Sequence, residues 1–380
     1  DDAETIDLCR RLVRIKSVNP PGGERGVAEF VAGYLREAGL EAELVEHAPE
    51  RASVLARLPG GEEPGLLLSA HLDTVPVGAE RWIRDPFAGD LAEGKVWGRG
   101  STDMKGGLAA MMSAARALAK ARAKLRGDVI LALTAGEEVD SLGATAIAAR
   151  KDIRNVRAVL VSEPSSNEIF VAEKGALWLE ISIYGKTAHG SMPELGCNAI
   201  MMMNAFLDEL KGLKIPYEEH PMLGGFSQSV NTIAGGVKTN VVPDLCTATI
   251  DMRTVPGQDN RAIVRQIEAL LSDLATRLPG FRGSAKVTND RQPVTTSPDH
   301  PLVKQFNEAL AKVRGRASEP KGVRYYTDAA SFVPALQVPM IICGPGEAGL
   351  AHQPNEYVDA RLLAESARIY AAAVARILGS

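Results

Sequence analysis

The sequence predicts an α/β fold: a largely parallel sheet flanked by helices, with a ferredoxin-like α+β domain inserted into it. Three observations carry this prediction. Four short runs rich in Val, Ile and Leu are typical of buried parallel strands: Leu66–Ala70, Val129–Ala135, Ala158–Ser162 and Val338–Cys343. Helical segments alternate with the earlier runs, as expected of a parallel sheet. From Leu177 the pattern changes to alternating apolar and polar residues.

The first part of the chain alternates between helices and strands. Apolar residues recur at helical spacing in residues 3–15 and 24–38, and Gly39 is a suitable stop for the second helix. The segments that follow are strands near residues 41–46, 53–58 and 66–70, an Ala-rich helix from about Lys105 to Arg122, and the strand ending at Ala135. We therefore expect helices to cover a sheet whose centre is parallel.

A different order of elements occupies the middle of the chain. The predicted elements are a strand at Leu177–Tyr184, a helix at 198–210, strands at 227–236 and 245–253, a helix at 258–277 and a strand at Ala285–Thr288. This β-α-β-β-α-β order is that of a ferredoxin-like unit. The sequence thus divides into one domain of residues 1–176 and 290–380 and an inserted domain of residues 177–289.

Composition favours a small-molecule partner. The 380 residues are 45% hydrophobic and 24% charged, as in ordinary globular proteins, and the net charge of −4 offers no broad positive field for nucleic acid or anionic lipid. We therefore expect no nucleic-acid partner. We also expect no membrane partner, because no apolar run approaches the roughly 20 residues that span a bilayer. The four cysteines form no C-x-x-C pair, which favours a reducing, cytoplasmic location. The chain begins with Asp1, so removal of a leader stays open.

Residues able to bind a metal follow each apolar run. His71 follows the first, Glu137 and Glu138 the second and Glu163 the third, and His352 lies beyond a Gly-Pro-Gly turn after the fourth. Because the carboxyl ends of parallel strands share one edge of a sheet, we expect these side chains to converge. Carboxylates and imidazoles without thiolates suit a catalytic Zn²⁺-type centre that polarises a carbonyl and activates water.

Each of these residues also has an ordinary interpretation when taken alone. Asp73 shares a strand face with His71 and can orient its ring, but such a pair also occurs at capped strand ends. Asp103 precedes a helix, where aspartate is a common N-cap. Glu137 and Glu138 repel each other after a buried strand unless cations or a proton compensate, although a solvated acidic loop is the alternative. Their conjunction is what predicts the metal centre.

Five segments, in chain order, carry a family resemblance: Ser69–Pro76, Gly98–Gly107, Gly136–Glu138, Ser162–Pro164 and His352–Pro354. Together they resemble the dizinc amidohydrolase family of acetylornithine deacetylase, succinyl-diaminopimelate desuccinylase, aminoacylase and carboxypeptidase G. The resemblance implies two Zn²⁺ ions, for which Co²⁺ can substitute. It implies that Asp103 bridges them, with His71 and Glu163 completing one site and Glu138 and His352 the other.

The same resemblance assigns the residues beside the metals. Glu137 is implied as the general base and acid, which takes a proton from water and returns it to the leaving amine. Asp73, two residues after His71 on the same strand face, is expected to fix the tautomer and orientation of the His71 ring beside it. The family also has a cis peptide after the bridging aspartate, which falls between Asp103 and Met104 in this chain.

The inserted domain resembles the family's lid and dimerisation domain around the segment Gly185–Ala199. There the matching histidine reaches into the partner subunit's site and hydrogen-bonds the oxyanion, which assigns that role to His189 and implies a homodimer formed through the lid. The alternative is a loop histidine without a catalytic part.

Four further residues are implied at the substrate. Asn240 and Arg253 match lid residues that grip a substrate carboxylate, for which the planar guanidinium is well suited. An ion pair with a neighbour such as Asp251 is the alternative for the arginine. Gly344 and Gly346 are expected to let backbone amides approach the same end of the substrate.

The implied activity is hydrolysis of the amide bond of an N-acyl amino acid. Two alternatives within enzymes stay open. One is a metallo-carboxypeptidase or dipeptidase with the same site, because cleavage of a peptide bond demands the same chemistry. The other is a hydrolase of another amide. A non-catalytic metal-binding scaffold is the alternative outside enzymes. A serine hydrolase is disfavoured, because the chain has no G-x-S-x-G motif. The acyl group, the amino acid and the native metal stay open.

Overall fold

The computed structural model describes residues 1–379, and helices account for much of it. The helices are α1 (Asp2–Arg14), α2 (Arg25–Glu37), α3 (Gly106–Lys120), α4 (Leu142–Ala148), α5 (Ala199–Gly212), α6 (Asn260–Arg277), α7 (Pro301–Arg314), α8 (Ala329–Leu336) and α9 (Ala360–Leu378). A π-helical turn covers Ser101–Lys105, and 3₁₀ turns cover Pro193–Leu195 and Ala348–Leu350. No helix in this part of the chain has both the length and the apolar character needed to cross a membrane.

The strands form three sheets. They are β1 (Glu41–Ala48), β2 (Arg51–Leu58), β3 (Glu63–His71), β4 (Asp90–Ala92), β5 (Lys95–Trp97), β6 (Gly127–Thr134), β7 (Val156–Val161), β8 (Phe170–Glu173), β9 (Gly175–Tyr184), β10 (Ser227–Gly235), β11 (Leu245–Thr254), β12 (Arg282–Arg291), β13 (Val294–Thr295), β14 (Lys321–Val323), β15 (Met340–Ile342) and β16 (Tyr357–Asp359).

The largest sheet has nine strands in the order β1-β2-β6-β3-β7-β15-β8-β13, with β14 paired to β8. Its centre, β6-β3-β7-β15, is parallel, whereas β1 and β2 add an antiparallel margin. The central strands are apolar on both faces because helices cover the sheet, and almost every residue from Leu66 to His71 is fully buried. The predicted α/β fold with a largely parallel sheet is confirmed.

Helices pack in two groups around this sheet. Helix α3 contacts α1 and α9, and α9 also contacts α7, while α2 packs on β1 and β2 and α8 on β7. Helix α3 is apolar on most of its circumference, which explains its central position. Gly107 in its first turn lies against the end of β7, where an added Cβ would lie 2.2 Å from Ser162 Oγ. Only glycine permits this close approach.

The chain forms two compact units. The first contains Asp1–Ala172, Thr295–Gly322 and the residues from Thr327 onward, and the second contains Glu173–Val294 and Val323–Tyr326. The first unit also contains the small sheet β16-β5-β4. The short return of the chain to the second unit at Val323–Tyr326 has no counterpart in the division made from the sequence.

The second unit is a four-stranded antiparallel sheet in the order β10-β11-β9-β12, on which α5 and α6 pack. Every second residue of β9 and β11 faces these helices and packs against helix residues that recur every three or four positions. The core is formed by Leu177, Leu179, Ile181, Ile183, Cys246, Ala248, Ile250 and Met252 from the strands and Met203, Phe206, Ile263, Ile267 and Leu271 from the helices. The predicted β-α-β-β-α-β order is confirmed.

Both margins of this sheet are solvent-exposed. Every residue of β10 is exposed. Strand β12 extends beyond the predicted Ala285–Thr288 at both ends, because its exposed polar residues pair through the backbone and leave no apolar alternation to read.

Candidate metal centre

The register of the parallel strands brings the predicted ligands to one edge of the large sheet. His71, the last residue of β3, pairs with Thr134 at the end of β6, and Ser69 pairs with Val161 at the end of β7. The acids that follow β6 and β7 therefore emerge beside His71. His71 Nε2 lies 3.8 Å from Glu163 Oε1, and both side chains are buried.

Asp103 lies between two histidines. Its Oδ1 is 3.0 Å from His71 Nε2 and its Oδ2 is 3.3 Å from His352 Nε2. His352 Nε2 in turn lies 3.0 Å from Glu138 Oε2. The peptide bond between Asp103 and Met104 is cis, as the family resemblance implied. One carboxylate thus faces two imidazoles, each of which has its own glutamate.

The spacing and chemistry of these donors fit divalent ions. Two donors that each lie about 2.1 Å from a tetrahedral ion are about 3.4 Å apart. The nitrogen–oxygen distances among His71, Asp103, Glu138, Glu163 and His352 run from 3.0 to 3.8 Å. Nitrogen and carboxylate oxygen without sulfur are a donor set that Zn²⁺ accepts. These residues are therefore candidate metal ligands.

Buried negative charge gives an independent reason for cations here. Burial raises the pKa of Glu163 well above its usual value, and the charge of Asp103 raises it further. Burial also favours the neutral form of Asp103, but hydrogen bonds from His352 and His71 outweigh this and lower its pKa. Hydrogen bonds to Asp103 and Glu138 raise the pKa of His352 to about 10. Protons or cations must therefore offset the negative charge of these carboxylates, and bound divalent ions are one way to do so.

Glu137 lies within the same cluster. One of its oxygens, one His71 nitrogen and one Glu163 oxygen all lie within 4.8 Å of one another. Burial raises the pKa of Glu137 well above its usual value, and the negative charges of Glu138 and Asp328 raise it further against the opposing effect of His71. A carboxyl with a raised pKa is suited to accept and return a proton near neutral pH.

Asp73 organises both His71 and the loop that carries the two glutamates. The Asp73 carbonyl oxygen lies 2.9 Å from His71 Nδ1, and its Oδ1 lies 3.6 Å from the same nitrogen. Its carboxylate accepts backbone N–H groups from Gly136 at 3.0 Å, Glu137 at 3.2 Å and Glu138 at 3.3 Å. His71 Nε2 is therefore directed toward Asp103, and the acidic loop is fixed by its backbone.

Several residues around the centre were not found from the sequence. Asn19 donates to Asp73 Oδ2 at 3.0 Å, and Arg51 binds Glu24 and Asp140, the latter in the loop after Glu138. No local pattern marks these residues, because each acts on a distant part of the chain.

Arg99 and Glu356 were also missed. They form a buried ion pair beneath Asp103. The sequence shows only an arginine between two glycines and a glutamate in a loop.

Gly344 and Gly346 lie in the loop after β15 and pack against ligand-bearing segments. An added Cβ at Gly344 would lie 2.5 Å from the Glu163 carbonyl oxygen. The Gly344 N–H donates to Ser165 Oγ at 3.0 Å, and the Gly346 carbonyl accepts from Ser166 N. In this structure the loop is held by these contacts, and an approach of its amides to a substrate remains a prediction.

The remaining predicted site residues belong to the second unit. His189 is exposed, and its backbone pairs with Val241, next to Asn240. Arg253 lies near the other end of β11, where it forms an ion pair with Asp251 at 3.0 Å. The eight residue steps from Leu245 to Arg253 span about 27 Å along the strand. The structure therefore brings His189 and Asn240 together but places Arg253 far from both.

Comparison with known proteins identifies the family. Residues 67–376 match the model of peptidase family M20/M25/M40. An acetylornithine deacetylase from Proteus mirabilis is 31% identical over 368 residues, which cover 93% of this chain and 92% of the relative. The chain belongs to peptidase family M20/M25/M40. As a member, it is a hydrolase that acts on amide bonds.

Other comparisons agree with this membership. A probable succinyl-diaminopimelate desuccinylase from Staphylococcus epidermidis is 29% identical over 385 residues, which cover 94% of this chain and 93% of the relative. The crystal structure of an M20 family metallo-carboxypeptidase from Sulfolobus solfataricus matches with a TM-score of 0.82 at 20% identity, over 98% of this chain and 99% of that one. At that identity the structure shows a shared fold. The family resemblance inferred from the motifs is confirmed.

Proposed function

We propose that this chain is a dinuclear metallohydrolase that cleaves N-acyl amino acids, with Zn²⁺ as its metal and Co²⁺ able to substitute. The observation that carries the proposal is the Asp103 carboxylate, which faces His71 with one oxygen and His352 with the other. The deacetylase and desuccinylase relatives support an N-acyl amino acid as substrate. In this proposal His71 and Glu163 hold one ion, Glu138 and His352 the other, and Asp103 both.

The buried acids around this centre can perform the proton transfers. Two divalent ions, when bound, would polarise the scissile carbonyl and lower the pKa of a water molecule. Glu137 accepts a proton from the attacking water and delivers it to the leaving nitrogen. Asp73 is a positioning residue, because its carboxylate holds the backbone of Glu137 and its carbonyl holds His71.

A homodimer formed through the second unit explains the distribution of the remaining site residues. His189 and Asn240 lie beyond one end of β11, and Arg253 lies near its other end, about 27 Å from Leu245 along the strand. Within one chain they are too far apart to contact the same small substrate. We propose that His189 and Asn240 serve the partner's site and that Arg253 binds a substrate carboxylate. The exposed edge of β10 is a surface through which two copies can pair.

Mixed dimers test this arrangement. Glu137→Gln and His189→Ala chains are each expected to be inactive as homodimers. If His189 acts in the partner's site, a mixed dimer regains one complete site, and a statistical mixture recovers about one quarter of wild-type activity. If the histidine acts within its own chain, mixing restores no activity, and the shared site is refuted.

A substrate screen tests the function itself. N-acetyl, N-succinyl and N-formyl amino acids are incubated with the protein beside simple dipeptides, and released amine is measured. The proposal predicts turnover of N-acyl amino acids that chelator abolishes and Zn²⁺ or Co²⁺ restores. Turnover of dipeptides alone would establish the carboxypeptidase or dipeptidase alternative, and metal binding without any turnover would favour the scaffold. Fractionation of producing cells tests the proposed cytoplasmic location.

A further inference from the structure

A buried ion pair lies beneath the candidate metal ligands. Arg99 Nη1 is 2.5 Å from Glu356 Oε2, and the side chains are 2% and 1% exposed. Removing both charges from water costs free energy that their attraction only partly returns, so a buried pair of this kind is a weak source of stability. Its hydrogen bonds indicate a different role.

The glutamate holds the backbone that precedes the cis peptide. Glu356 Oε1 accepts the N–H groups of Thr102 at 2.8 Å and of Asp103 at 3.1 Å. The Thr102 hydroxyl also donates to the Tyr357 carbonyl at 2.7 Å. Because Glu356 fixes the Asp103 amide, it restricts the direction in which the Asp103 carboxylate leaves the backbone.

The arginine holds two other segments of the same centre. Its guanidinium donates to the carbonyl of His352 at 3.4 Å, to that of Gln353 at 3.3 Å and to that of Pro76 at 3.2 Å. Pro76 follows the strand end that carries His71, and Gln353 follows His352. A planar fork with several donors can span three carbonyls and a carboxylate at once, which an ammonium group cannot do.

We propose that the Arg99–Glu356 pair is a positioning device that holds Asp103 between His71 and His352, so that one carboxylate can serve two ions. This inference rests on the proposed function, because it concerns the same metal centre. Neither residue contacts the proposed metals. Each acts through the backbone of the residues that do, and removal of the pair is expected to weaken metal binding before it affects the fold.

The test compares metal affinity with stability in Glu356→Gln. Glutamine has a single acceptor oxygen, so it can accept from the two amides or from Arg99 but not from both, and the link between the two halves of the device is broken. The Zn²⁺ affinity of the chelator-stripped protein, measured by competition with a chromophoric chelator, is expected to fall about 10–100-fold. A purely structural role would lower the Tm of the stripped protein without changing an affinity measured well below that temperature.

Glu168→Gln is the matched control. Glu168 pairs with Arg314 at 2.9 Å, and the side chains are only 17% and 10% exposed. Arg314 also binds the Asn167 carbonyl and Glu365, so this pair serves other segments. The control is expected to lose stability but to bind Zn²⁺ as tightly as wild type. Wild-type affinity in Glu356→Gln, or an equal loss in Glu168→Gln, would overturn the inference.

Arg99→Lys keeps the inference testable if Glu356→Gln does not fold. Lysine preserves the positive charge but cannot reach the carbonyls of Pro76, His352 and Gln353 together, so metal affinity is again expected to fall. Unchanged affinity in a folded Arg99→Lys protein would overturn the proposal. If the wild-type protein binds no divalent ion, the proposed function is refuted. If the wild-type protein binds two ions and the variants bind them with the same affinity, only the positioning role is refuted.

Discussion

Substitution of Glu137 by glutamine separates proton transfer from metal binding. The amide has the size of the carboxylate, so the position, which is 8% exposed, is refilled without a cavity. The shortest carboxylate contacts of the His71 and His352 Nε2 atoms come from Asp103 and Glu138, each at 3.0 Å, and these contacts remain. We therefore expect two metal ions to stay bound while kcat falls about 10²–10⁴-fold. That loss corresponds to a rise of about 2.7–5.5 kcal/mol in the activation barrier.

The adjacent glutamate provides the matched comparison. Glu138→Gln makes the same change one residue later, but Glu138 Oε2 lies 3.0 Å from His352 Nε2. We expect Glu138→Gln to lose metal affinity and to regain activity in excess Zn²⁺, which Glu137→Gln does not. Metal content and amine release are measured on the same samples. Because Glu137 also lies near His71 and Glu163, it is itself a geometrically allowed ligand. If Glu137→Gln loses metal and excess Zn²⁺ restores its activity, the assignment of Glu137 as the general base is refuted.

Three further predictions concern stability. Burial opposes ionisation of Glu168, but hydrogen bonds from Ser318 and Arg314 prevail and lower its pKa from 4.5 to about 2, which is worth at most about 3 kcal/mol. Because the pKa of Glu168 is lower in the folded state than in the unfolded state, this stabilisation is present above pH 4.5 and is lost toward pH 2. Chemical denaturation should therefore show that Glu168→Gln lowers the free energy of unfolding at pH 7 but hardly changes it at pH 2. An equal loss at both pH values would contradict the prediction. Phe206→Ala should cost about 3–5 kcal/mol in urea unfolding, since the ring is fully buried in the second unit, and a loss below 1 kcal/mol would show that the packing is misjudged. Zn²⁺ at about 100 times its Kd should stabilise the stripped protein by about 2.7 kcal/mol in calorimetry, and no rise in Tm would indicate that the folded centre does not bind it.

The sheet and the ligands at its edge were predictable because local sequence determines them. Leu66–Ala70 and Ala158–Ser162 are apolar throughout, which is typical of strands covered on both faces, and parallel strands deliver the residues that follow to one edge. The sequence alone therefore suffices to place His71 and Glu163 near each other. The antiparallel pairing of β1 with β2 was not predicted, although only two residues join the strands.

The supports of the centre were not predictable for the opposite reason. Arg99 and Glu356 are 257 residues apart, and neither lies in an apolar pattern that restricts its environment. Their pairing follows from the tertiary packing of three loops. Arg253 illustrates a related limit: the family resemblance pairs it with Asn240, but most of β11 lies between the two residues in the chain. Each residue of an extended strand adds about 3.4 Å, so two residues that a motif pairs can lie far apart in the structure.

The dispersion of the ligands along the chain has a consequence for biosynthesis. His71 leaves the ribosome long before His352, and the pair that braces the centre is complete only with Glu356. A nascent or truncated chain that ends before His352 contains every strand of the large sheet, yet it lacks one of the five proposed ligands and the Glu356 that braces Asp103. Cation capture is therefore expected to be one of the last events in maturation, coupled to the docking of the C-terminal helix α9 against α3.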